Sequence, residues 1–165
     1  MKKLFLSLCI LAIGIASFAQ AEKTNGTIYI NHPYIDAVNK SVASYMSQNV
    51  AVWRTLYADT AKFSITGIAK SFSIQEQEKY FGLDFKYFTN ITMKPYGYPD
   101  YLHYEKDNAM VVQSWWIWSG KSKKTGKEVK IFFVMFDDFN SAGKIVSESS
   151  FGDFTEQLAE EGIQQ

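Results

Sequence analysis

The sequence predicts an α+β domain, with helices gathered on one face of an antiparallel sheet, and three observations carry that reading. Runs 110–118 and 129–139 are strand-like and apolar, and the basic turn Lys123-Lys-Thr-Gly-Lys127 joins them. A Gly turn, Asn140-Ser-Ala-Gly-Lys144, then leads to a third run from Ile145 to Phe151-Gly-Asp153, so the three make an antiparallel meander. Apolar residues at helical spacing occur only before residue 91 and after residue 153. The order helix, helix, strand, helix, strands, short helix is that of one α+β domain.

Taken in order, residues 22–32 are polar and read as a flexible lead-in. Pro33 suits a first helical position, and Ile35, Val38, Val42, Tyr45 and Met46 recur on one face behind it. Asn49 can cap a short second helix carrying Val52, Trp53, Leu56 and Tyr57. Residues 62–66 alternate like a strand that stops at Gly67. Ser73-Ile-Gln-Glu76 is a capping box opening a third helix with the stripe Ile74, Phe81, Phe85 and Phe88. From Ile91 the pattern is strand and turn, until a second capping box at Asp153-Phe-Thr-Glu156 opens a helix that Gly162 ends. The domain therefore runs over 33–162, without internal repeats or a domain boundary.

The first 21 residues read as a signal peptide. Lys2 and Lys3 begin it, an apolar core follows over 4–15, and Ala19-Gln20-Ala21 offers cleavage after either Ala. That core is too short for a permanent membrane span. Cys9 follows the bulky Leu8 after few apolar residues, which argues against a stable lipid anchor. The expectation is an exported protein, periplasmic or secreted. Removing 1–21 leaves 144 residues, and 17 basic against 17 acidic groups becomes 15 against 17. A net charge of −2 gives no electrostatic reason to expect nucleic acid or an anionic membrane surface. The only Cys leaves with the signal, as do two of the 13 Phe, so 11 Phe, 10 Tyr and 4 Trp must supply the core without disulfides.

The strands are apolar on both faces. Met110, Val112, Trp116 and Trp118 share one face, and Val111, Trp115 and Ile117 the other. In the next run Ile131, Phe133 and Met135 oppose Phe132, Val134 and Phe136. Helices on one side cannot cover both faces. The simplest cover for the second is the same face of another subunit, a homodimer; a sheet curling to bury both faces within one chain is the alternative.

The set Leu56-Tyr-Ala-Asp59 with Ala61 and Phe63, Trp116-x-Trp-Ser-Gly120, Thr125-Gly-Lys127, Gly143-Lys-Ile145 and Phe151-Gly-Asp153 resembles the SnoaL-like branch of the nuclear transport factor 2-like superfamily. The resemblance spans about 33–160. It implies a cone-shaped α+β barrel (cystatin-like), a curved antiparallel sheet wrapped around the N-terminal helices, a pocket inside the cone, and usually a homodimer. By that resemblance the isomerases' general base falls at Ile65 and their oxyanion-holding acid at Met135. A catalytic carboxylate of the epoxide hydrolases falls at Ser150. The dehydratases use two pocket histidines, whereas here only His103 lies in the sheet region, since His32 precedes the first helix. Each template thus loses a group that its proton transfer requires.

Candidate ligand-binding residues are Trp53, Tyr57, His103, Gln113 and Trp116. His103 is a strand-end histidine by the plainer reading, and the catalytic acid or base only if the protein is an enzyme. The tyrosines of Tyr96-Gly-Tyr-Pro-Asp-Tyr101 could form an aromatic lid or pack as a loop. Of Gln113 and Ser114, whichever faces inward needs a partner. Asp137 and Asp138 point to opposite faces and read as solvated turn carboxylates, Asp59 as a turn-shaping acid, Asp153 as a helix cap, and Arg54 as a surface ion pair. No metal-ligand cluster, phosphate loop or nucleophile elbow is present, so neither metal nor cofactor is expected. The leading functional reading is non-catalytic binding of a small, largely apolar molecule in the cone. The alternatives are a lyase- or isomerase-type enzyme using His103 and tyrosine hydroxyls, and a structural domain whose cone is filled by its own aromatics.

Overall fold

The computed structural model describes residues 24–163; the expected signal segment 1–21 lies outside them. The elements are β1 (Gly26–Tyr29), α1 (Pro33–Met46), α2 (Val50–Arg54), β2 (Tyr57–Ile65), β3 (Phe72–Ser73), α3 (Ile74–Phe81), α4 (Leu83–Tyr87), β4 (Phe88–Pro95), β5 (Asp100–Tyr104), β6 (Met110–Ser122), β7 (Glu128–Phe139), β8 (Ile145–Gly152) and α5 (Thr155–Glu161). The strands form one curved, open sheet in the order β1-β5-β6-β7-β8-β2-β3, with β4 also paired to β6. The β6-β7-β8 meander is present as expected. The sheet is mixed rather than antiparallel throughout, because β2 pairs parallel to β8. Both strands feed the same end of the cone, and the long excursion through helices and β4–β7 allows a parallel return.

Local chemistry accounts for the helix ends. Asn49 accepts from the Val52 N–H and caps α2. Ser73 and Glu76 bond reciprocally at the start of α3. Gly82 interrupts the stripe read as one third helix, so it becomes α3 and α4, and Phe88 opens β4. Tyr57 begins β2 instead of ending the second helix. At α5 the expected capping box does not form: Asp153 accepts from the Thr155 N–H, and Phe154 occupies the cap position without a side-chain bond. Gly162 ends that helix in the left-handed conformation, φ 74°.

The lead-in is a correction. Within 22–32, the Thr-Ile-Tyr run adds β1 to the edge of β5, with Thr27 opposite His103. Gly26 permits the approach, since a Cβ there would lie 2.2 Å from the His103 carbonyl oxygen.

On the concave face, Val112 and Trp116 of β6 share one buried cluster with Val38 and Val42 of α1 and Phe81 of α3, and Trp118 lies in a second with Phe88, Val129 and Ile131. The convex face carries Trp115, Val134 and Phe136 partly buried, and Phe132 and Phe151 more than half-exposed. Trp115 is therefore the outward residue of the Trp115–Trp116 pair, and Trp116 the inward one.

Candidate functional site

Inside the cone lies a cavity of about 180 Å³, between α1, α2, α3 and α5 and the inner face of β2, β6, β7 and β8. Phe63, Phe72, Tyr80, Phe81, Trp53 and Trp118 give it aromatic walls. Ile65, Met135 and Ser150, the three positions to which the family's carboxylates map, all line it. The cone is thus not filled by its own aromatics.

A first polar centre is built on the β7–β8 ladder. The pairs Met135↔Ser150 and Asp137↔Glu148 follow one another along the same faces of the two strands. Asp137, read as a solvated turn carboxylate, has no exposed surface. The reason is parity: β7 stays regular up to Phe139, so Asp137, although close to the turn, falls within the inward series Ile131, Phe133, Met135, Phe139. Asp138 points the other way and is half-buried. Glu148 sits deep in the interior but keeps part of its surface open to the cavity.

Tyr57 donates to Glu148 Oε2 at 2.5 Å, and Ser41 Oγ lies 2.8 Å from the same tyrosine oxygen. With the Tyr57 proton given to Glu148, Ser41 is the donor in the second bond. Asp137 has no donor to either oxygen. Two facing carboxylates can bond only by sharing a proton, and burial favours keeping it. Burial, then the charge of Glu148 and that of Asp138, pushes Asp137 well above the usual carboxylate range. Burial likewise raises Glu148, while the bond from Tyr57 pulls it back.

A second centre joins α1, α4 and α5. Tyr45 donates to Asp84 and accepts from Trp118 Nε1 at 2.9 Å; Gln157 Nε2 donates to Asp84 at 2.5 Å. Glu161 faces Asp84 with Oε1 buried and unpartnered, and burial, then hydrogen bonding to Asp84 and its charge, pushes it up to about 10. Ser41 and Tyr45 stand at i and i+4, so both centres hang from successive turns of one face of α1.

The five sequence candidates fall in different places. Trp53 lines the cavity, and Tyr57 stands behind it through Glu148. Trp116 is core, its indole donating to Ser114 Oγ at 2.8 Å, which satisfies the inward polar position of β6. Gln113 alternates onto the convex side. His103 lies on β5, off the cavity lining, with Nε2 bonded to Asn108 Oδ1 at 2.7 Å. β5 packs near the start of α1, whereas the cavity opens beside its second half, so His103 cannot serve as the pocket's acid or base. Tyr96 and Tyr98 are exposed, and Tyr96 packs on Phe132 of the convex face, so they form no lid over the cavity. Arg54 pairs with Asp59 and Glu78. Glu148, Asp84 and Glu161 escaped the sequence reading.

No family model and no curated protein matches the sequence. Solved structures do. A hypothetical protein with a ketosteroid isomerase-like fold from Catenulispora acidiphila, in complex with trimethylamine, superposes with TM-score 0.59 at 15% identity, over 78% of this chain and 93% of that one. An NTF2-like protein of unknown function from Exiguobacterium gives 0.55 at 20%, over 74% and 99%. A Shewanella denitrificans protein described as a SnoaL-like polyketide cyclase gives 0.58 at 7%, over 79% and 97%. The chain has the nuclear transport factor 2-like fold. Within that fold the cavity occupies the interior of the cone, and the facing pair Asp137↔Glu148 stands one ladder step from Met135↔Ser150.

Proposed function

We propose that the cone binds a small, largely apolar molecule. The observation carrying this is the aromatic-walled cavity of about 180 Å³, which exceeds the ~150 Å³ that accommodates a benzene ring. Such a site encloses an apolar body and orients it through a few polar groups. Titration with benzyl alcohol tests it: the wild type should bind, and Ile65→Trp, which fills the lining, should not. Equal binding by both would place any ligand elsewhere.

A second reading is favoured by Glu148. A carboxyl raised by burial and open to a cavity is a candidate to take and return a proton, and Tyr57 is arranged to hold its charge. The expectation that the pocket lacks such a group rested on positions 65, 135 and 150 alone. Exchange of the α-protons of cyclohexanone in D₂O separates the readings. A proton leaves carbon for Glu148, and a deuteron returns. Exchange lowered about 10²- to 10⁴-fold in Glu148→Gln supports catalysis; no exchange above buffer leaves binding alone.

Export and dimerisation through the convex face belong to the same proposal. Lys2, Lys3 and the apolar stretch behind them support the first. The outward aromatics Trp115, Phe132 and Phe151 support the second.

A further inference from the structure

We infer that the cavity selects a small apolar cation, such as an aryl or alkyl amine, whose ammonium group is received by Glu148. This rests on the binding reading and names its ligand class. The lining contains three carboxyl groups, from Asp84, Glu148 and Glu161, and no Lys, Arg or His. Every side chain that donates to these acids is neutral: Tyr57 to Glu148, and Tyr45 and Gln157 to Asp84. Arg54 is engaged with Asp59 and Glu78 and does not line the cavity. Charge developing here therefore meets no protein cation.

A second observation is independent of that composition. Asp137 has no exposed surface, extends from the inner face of β7 beside Met135 of the lining, and has no donor to either oxygen. An unpaired buried carboxyl is costly, and it is retained where something supplies charge or a donor. The facing pair Asp137↔Glu148 can keep one proton while empty and give it up to an arriving cation. Trp53 and Phe81, in contact with each other, put two aromatic rings in the wall, a surface that attracts the methylene groups next to an ammonium. An anionic ligand would add to the acids' charge, and a neutral one would leave Asp137 as it is.

Three probes of one shape test this: benzylamine, benzyl alcohol and benzoate, titrated by calorimetry at neutral pH in buffers of different ionisation enthalpy. Benzylamine should bind at least about tenfold more tightly than benzyl alcohol, releasing roughly one proton, while benzyl alcohol releases none and benzoate binds worst. Glu148→Gln, which keeps the shape, should abolish the preference and the proton release. If benzyl alcohol or benzoate binds as tightly as benzylamine, the cation inference is overturned and the binding reading stands. If none of the three binds, the binding reading fails and the inference with it. Loss of the preference in Glu161→Gln but not in Glu148→Gln overturns the assignment to Glu148.

Discussion

Asp137 and Glu148 face each other across the β7–β8 ladder, inside a cone whose walls are otherwise mostly aromatic and aliphatic. One carboxyl is wholly buried without a hydrogen-bond partner and the other takes the Tyr57 hydroxyl, and burial pushes both above the usual carboxylate range. The second centre, Asp84 with Glu161, repeats that arrangement one helical turn further along α1.

These acids make stability fall as pH rises. Glu161 has a folded value of about 10 against an ordinary 4.5, so within that window the native state binds more protons than the unfolded chain. Its stabilisation is complete below 4.5 and is lost on the way to 10, and Asp137 acts in the same direction from 3.8 upward. A single group held in this way contributes up to about 1.4 kcal/mol per pH unit. Urea midpoints should drop steadily from pH 5 to 9, and Glu161→Gln and Asp137→Asn should each flatten the slope. Midpoints flat or rising over that range in the wild type would contradict raised values for these acids.

The fold was legible where periodicity was long. The meander, the α1 stripe and the Ser73 capping box follow from local rules that packing did not override. The sheet's parallel pairing was hidden, because nothing in β2 or β8 records which neighbour each will meet. The inward place of Asp137 is legible in the parity of Ile131, Phe133 and Met135 within the run 129–139, but nearness to the turn at Asn140 favours a solvated reading. Glu148 was not legible: the register shifts between Asp138↔Ser147 and Phe139↔Ile145, so Ile145 and Glu148 both turn inward against simple alternation. Asp84 and Glu161 come together only through tertiary packing of α4 with α5. His103 drew attention as the one imidazole of the sheet region, and residue type could not tell that its strand serves the opposite end of α1.

The convex face should mediate dimerisation. Sedimentation of the mature chain at tens of micromolar should give twice the monomer mass, and Phe132→Asp, at a position already 51% exposed, should halve it without unfolding the domain. A wild-type monomer at that concentration contradicts the interface.

Export is checked by intact mass. Protein recovered from outside the cytoplasm should begin at Gln20 or Glu22. A chain retaining Met1, or carrying lipid on Cys9, contradicts it.

The four indoles give the most direct test of a ligand inside the cone, because they sample different places. Trp53 and Trp118 line the cavity, Trp116 lies in the core bonded to Ser114, and Trp115 faces outward. In ¹⁵N-labelled protein titrated with benzylamine, the Nε1–H resonances of Trp53 and Trp118 should move together and saturate, while Trp115 stays in place. Movement confined to Trp115, or no saturable shift at Trp53 and Trp118, would contradict a binding site within the cone.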